Sequence, residues 1–151
     1  MSLYKYFRIS KPAPDRVPGD RVDAEYRRLR SRTFWGASVV YSLYYVCRMT
    51  LSVVKQPLID GGVLSASDLG LIGSALLLVY AFGKFVNGFI ADYCNIRRFM
   101  AAGLFISAAV NLVMGLLGFF GRAVSVPGIV MMAVFFILWG ANGWVQSMGA
   151  P

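Results

Sequence analysis

Residues 99–121 run for twenty-three positions without a charged side chain, and no other feature restricts the fold of this chain as much. A helix needs roughly 20 apolar residues to cross a bilayer, and the backbone must satisfy its own polar groups once water is gone. Three further blocks reach that length. Residues 33–54 are interrupted only by Arg48, residues 69–91 only by Lys84, and residues 123–151 carry no charge, with Pro127 placed near a helix start. The pattern predicts spans at about 33–54, 69–91, 99–121 and 127–151, an all-α polytopic membrane bundle of about four helices. Composition agrees, with 58% hydrophobic and 15% charged residues, against roughly 25% charged in an average soluble domain.

The formal charge of +8 would point to nucleic acid in a soluble protein, but its placement points to a membrane. Nine of the fifteen cations precede residue 33, and beyond that point charge is sparse. No nucleic-acid partner is expected, and membrane lipid is. Residues 1–32 hold no apolar core of the kind a cleavable signal needs, so they are read as a retained basic leader. Within it, residues 23–32 are expected to form a short basic helix on the membrane surface, attracted to anionic lipid. Cytoplasmic segments are enriched in Lys and Arg. The leader and the 92–98 link, with Arg97 and Arg98, are therefore placed in the cytoplasm, and the links carrying Lys55 and Arg122 outside. Gln56-Pro57-Leu58-Ile59-Asp60-Gly61-Gly62 reads as a breaker-rich loop. Ser65 and Asp68 read as a capping box opening the second helix.

The chain has no His, and Cys47 and Cys94 lack metal-ligand spacing. Zinc sites, His-dependent triads and disulfide scaffolds are unsupported. No metal, cofactor, catalytic residue or enzymatic activity is expected.

Arg48 is the most informative residue. It lies roughly 22 Å along its span at 1.5 Å per residue, where a buried Arg costs about 2.5 to 3.5 kcal/mol or more. It should face a partner or a water-filled cavity, and no acidic residue in the four spans is available to pair with it. Its permanently charged fork suits phosphate oxygens; snorkelling or a structural ion pair is the competing reading. Tyr41, Tyr44 and Tyr45 precede it by seven, four and three residues, which places their hydroxyls near its face, with Tyr41 and Tyr45 the preferred pair. Lys84 is a second intramembrane cation, with Tyr80, Asn87 and Gly88 on the same helical face. It lies about 11 Å from the cytoplasmic end of its span and need not be level with Arg48. It is read as lining the inner solute path, with snorkelling as the rival. Asn142 and Gln146, four apart, are read as interhelical glue, and Gly140 and Gly143 as smooth surface.

Gly88-Phe-Ile-Ala-Asp92-Tyr-Cys-Asn95-Ile-Arg97-Arg98 looks like the loop signature of the major facilitator superfamily, with Tyr93 where that pattern has a cation and Asn95 where it has glycine. Gly88 is expected to admit a close helix, and Asp92 to meet a helix N-terminus or an Arg.

With these residues the sequence resembles the organophosphate:phosphate antiporter family. The likeness includes Lys11-Pro12-Ala13-Pro14 and Asp23-Ala-Glu-Tyr26-Arg27-Arg28-Leu29-Arg30 in the leader. It continues with Tyr41-x-x-x-Tyr45-x-x-Arg48, then Tyr80-x-x-x-Lys84-Phe85-x-x-Gly88-x-x-x-Asp92, and Gly143-Trp144-Val-Gln146-Ser-Met148-Gly149-Ala-Pro151. Met49-Thr50 stands where the family commonly has Lys-Asn. The resemblance implies a twelve-helix fold of two halves that exchanges an organic phosphate ester, such as glycerol 3-phosphate or a hexose phosphate, for inorganic phosphate. It also implies a bacterial inner membrane, a cytoplasmic N-terminus, and a second half with its own phosphate-binding arginine beyond Pro151. Arg48, Tyr41, Tyr45, Lys84 and Tyr80 would bind substrate, while Gly88, Asp92, Asn95, Arg97 and Arg98 would form the gating loop. The alternatives are a sugar-phosphate sensor of the same fold and a small membrane interaction protein.

Overall fold

A computed structural model describes residues 6–9, 17–123 and 126–149. Among them are four long helices, α1 Val22–Asp60, α2 Ala66–Asp92, α3 Ile96–Ala123 and α4 Gly128–Gln146, with short 3-10 turns at Gly19–Arg21 and Ser147–Gly149. All four are long and apolar enough to cross a membrane. The Lys11–Pro14 motif and Pro151 lie outside the described residues.

The boundaries differ from the sequence reading in three places. The stretch 23–32 is not a separate helix but the first part of α1, because no breaker stands between Arg32 and Thr33. At about 1.5 Å per residue α1 is roughly 58 Å long, well beyond the roughly 30 Å of hydrocarbon it needs to cross. Residues 56–60 are helical too, where a loop is expected. Pro57 falls near the helix end, and the chain turns at Gly61 and Gly62. There the Gly62 N–H donates to Ile59 O and the Val63 N–H to Leu58 O, with Gly62 at φ 64°. This left-handed C-terminal cap leaves Gly the one residue free of a Cβ penalty. At the other end of the chain, α4 stops at Gln146 and closes in a 3-10 turn instead of continuing to 151. The Ser147 hydroxyl helps to close that turn by donating to Trp144 O at 2.7 Å.

Other local expectations hold. The Ser65 Oγ accepts from the Asp68 N–H and Asp68 Oδ2 accepts from the Ser65 N–H, a complete capping box. Pro127 immediately precedes α4.

α2 and α3 pack against α4, whose buried residues include Met131, Phe135, Trp139 and Gly143, and α1 packs on α3 and the closing 3-10 turn. With no hydrophobic drive between helices in lipid, close approach through small residues does the packing. A Cβ on Gly143 would collide with the Leu76 backbone, and one on Gly83 would lie 2.6 Å from Ser147 Oγ. Gly140 rests on Val79 and Ala75 at ordinary contact. Gly88, by contrast, has nothing within 4 Å of such a Cβ among the described residues, so the close approach expected there occurs at Gly83 and Gly143.

Tyr6 and Phe7 meet the α2–α3 turn: the Asn95 N–H donates to Phe7 O at 2.7 Å, and the Arg98 guanidinium lies over the Tyr6 ring. The N-terminal segment and this turn therefore share one end of the bundle. Val63 and Gly128 approach each other at the opposite end.

Candidate anion-binding site

The site forms where α1, α2 and the last turn of α4 converge. Because Gly143 and Gly83 let α4 settle onto α2, Gln146 reaches α1, and its Oε1 accepts a hydrogen bond from Arg48 Nε at 2.8 Å. The Arg48 guanidinium carbon stands 4.3 Å from the Tyr80 ring centroid and 5.5 Å from that of Tyr45. Both are cation–π distances. Tyr41 joins through its ring contact with Tyr45, centroids 5.1 Å apart.

Lys84 Nζ lies 5.9 Å from the same Tyr80 ring. The two cations thus share one aromatic and stand within about 10 Å of each other, each inside or near cation–π reach of that ring. The sequence had left their relative depth open. Arg48 is half-buried and Lys84 exposed on the surface of these four helices. The ion pairs among the described residues are Arg21 with Asp20 and Arg28 with Glu25, so neither intramembrane cation has a carboxylate there. Two like charges that share one ring and have no carboxylate partner among the described residues set up a local positive field of the kind that favours an anion. With Nε engaged, the terminal nitrogens of Arg48 keep four of the five guanidinium donors available.

Tyr44 does not join this group. It is buried, donates its hydroxyl to Met100 O at 2.8 Å, and packs beneath Gly103 and Gly149. It ties α1 to α3. Gln146 is the residue that sequence reasoning missed as a partner for Arg48. It is only 2% exposed, and a polar residue at i+4 from Asn142 on the last turn was the available signal. Asn142 matches the glue reading: the Ser107 hydroxyl on α3 donates to its Oδ1 at 2.7 Å. Asn87 is likewise structural, donating to Ser147 Oγ and to Trp144 O.

The loop residues lie apart from this cluster. Asn95 caps α3, its Oδ1 accepting from the Arg98 N–H at 3.3 Å. Asp92, Arg97 and Arg98 are exposed, and Asp92 forms no ion pair among the described residues.

A groove of about 440 Å³ lies between α1, α3 and α4, lined by Leu51, Val54, Met114, Phe119 and Phe135. It is almost wholly apolar and contains neither Arg48 nor Lys84.

Four helices long and apolar enough to cross a membrane, two of them carrying Arg48 and Lys84 within their apolar stretches, define a multi-pass membrane protein. Comparison with known proteins narrows the class. The chain is 38% identical over 146 residues to the glycerol-3-phosphate transporter of Bacillus subtilis, covering 95% of this chain and 31% of that protein. It is 40% identical over 143 residues to the glycerol-3-phosphate transporter of Haemophilus influenzae, 93% of this chain and 28% of that protein. The membrane sensor protein UhpC of Escherichia coli is 29% identical over 149 residues, 99% of this chain and 31% of that protein. The chain belongs to the organophosphate transporter family. It spans about a third of the length of these relatives. No family model matches the chain, and no solved structure matches it.

Proposed function

We propose that these residues supply the first four helices of a membrane transporter that exchanges an organic phosphate ester, such as glycerol 3-phosphate or a hexose phosphate, for inorganic phosphate. The observation that carries this reading is Arg48, held by a neutral amide and an aromatic ring inside the bundle with no carboxylate partner among the described residues. Arg48 binds the phosphate through two parallel hydrogen bonds, Lys84 adds charge on the inner side, and Tyr41, Tyr45 and Tyr80 line the cleft. The complete protein sits in the inner membrane of a bacterium with its N-terminus in the cytoplasm. A second half closes the site from the other side, so that rocking exposes it alternately to the two faces. Gly88, Asp92, Asn95, Arg97 and Arg98 lie at the inner end, where that movement is gated.

The sensor reading is favoured by the likeness to UhpC, since the same phosphate site would serve a protein that signals occupancy. Full-length protein in liposomes loaded with inorganic phosphate separates the two. Saturable uptake of glycerol 3-phosphate or a hexose phosphate, dependent on internal phosphate, supports exchange. Phosphate-ester binding without exchange supports the sensor. Absence of both binding and exchange refutes the phosphate reading.

A further inference from the structure

We infer that Gln146 is a positioning residue that orients the Arg48 guanidinium toward its ligand without neutralising it; this rests on the phosphate reading above. The Oε1 contact to Nε, at 2.8 Å, occupies one edge of the guanidinium, and the Tyr80 ring at 4.3 Å restrains its plane. The edge formed by the two terminal nitrogens is left for a bidentate ligand.

The amide is itself held in one orientation. Ser107 spends its only hydroxyl hydrogen on Asn142 Oδ1, so toward Gln146 it offers an acceptor, and Gln146 Nε2 approaches it at 3.5 Å. A flipped amide would set NH2 against the guanidinium, donor against donor. The chain Asn142, Ser107, Gln146, Arg48 therefore runs across three helices with consistent polarity. All of its members but Arg48 are fully buried. The choice of an amide matters chemically: a carboxylate in the same place would also fix the guanidinium, but would cancel the charge the ligand needs.

This distinction makes the test. Inorganic phosphate binding and thermal unfolding would be measured on the full-length protein carrying Gln146→Glu, Gln146→Met, Arg48→Lys, or Arg48→Lys with Gln146→Met. Gln146→Glu is expected to weaken phosphate binding by about ten-fold or more while unfolding no earlier than the parent, because it pairs with Arg48 in phosphate's place. Gln146→Met is expected to weaken binding in the parent and to have no further effect beside Arg48→Lys. Should Gln146→Met fail to fold, parent-like phosphate binding by the isosteric Gln146→Glu would still overturn the proposal. Parent-like phosphate binding by the Gln146 variants, with Arg48→Lys impaired, would overturn the positioning role and leave Gln146 as interhelical glue. Parent-like binding by Arg48→Lys would instead overturn the phosphate reading on which the role rests.

Discussion

Substituting Gly143 and Gly88 separately by Ala should shift stability in opposite directions. A Cβ on Gly143 would sit against the Leu76 carbonyl oxygen and 3.1 Å from its carbonyl carbon and Cα. Carbon atoms at rest stand about 3.5 to 4.0 Å apart, and backbone on a packed helix cannot rotate away as a side-chain tip can. The helices must separate by something on the order of 0.5 to 1 Å, a gap that already forfeits a quarter to a half of each lining contact. Overpacking of this kind costs about 1 to 3 kcal/mol, which lowers the folding constant by about five-fold to over a hundred-fold. A Cβ on Gly88 meets nothing within 4 Å among the described residues, and Ala there should gain about 0.5 to 1 kcal/mol from helix propensity. Reversible unfolding of the full-length variants in mixed micelles measures both. Gly143→Ala as stable as the parent, or Gly88→Ala the less stable of the two, would refute the packing argument.

Tyr44→Phe should cost about 0.5 to 1.5 kcal/mol of stability by removing the bond to Met100 O. It should leave phosphate affinity unchanged, because Tyr44 faces α3 and not the cleft; a large loss of affinity in binding assays would place Tyr44 in the site. For topology, single cysteines at Gly61 and Asn95, in a background lacking Cys47 and Cys94, should label from outside intact cells only at position 61. Strong labelling at 95 but not at 61 would reverse the map.

Much of this architecture could be read from the residues. The helices appear as uncharged blocks because lipid tolerates little else, and Ser65 with Asp68 marks a helix start through chemistry local to four residues. Arg48, Tyr45, Tyr80 and Lys84 could be singled out since charge inside an apolar run demands explanation. What escaped depended on neighbours. Tyr44 and Tyr45 both lie within a turn of Arg48, but at roughly 100° per residue they fall on opposite sides of it, about 40° one way and about 60° the other. Only the position of α3 reveals that the Tyr44 side is buried. Gly88 and Gly143 look alike in sequence, and which one meets a backbone is decided by the α2–α4 crossing. Gln146 becomes a partner for Arg48 through a contact spanning 98 positions. Pro57 reads as a loop residue, though its place one turn before a left-handed cap allows the helix to continue through it.

The most direct test of Arg48 as the phosphate-binding group is calorimetric titration of inorganic phosphate into purified, folded full-length protein carrying Arg48→Lys, with Lys84→Ala beside it. Lys keeps the charge and loses the fork, and loss of a charge-assisted bond is worth about 1.5 to 3 kcal/mol. Arg48→Lys is therefore expected to bind phosphate about ten-fold to over a hundred-fold more weakly than the parent, and Lys84→Ala to lose less. Phosphate affinity in Arg48→Lys equal to that of the parent would contradict the assignment and make Arg48 a structural residue.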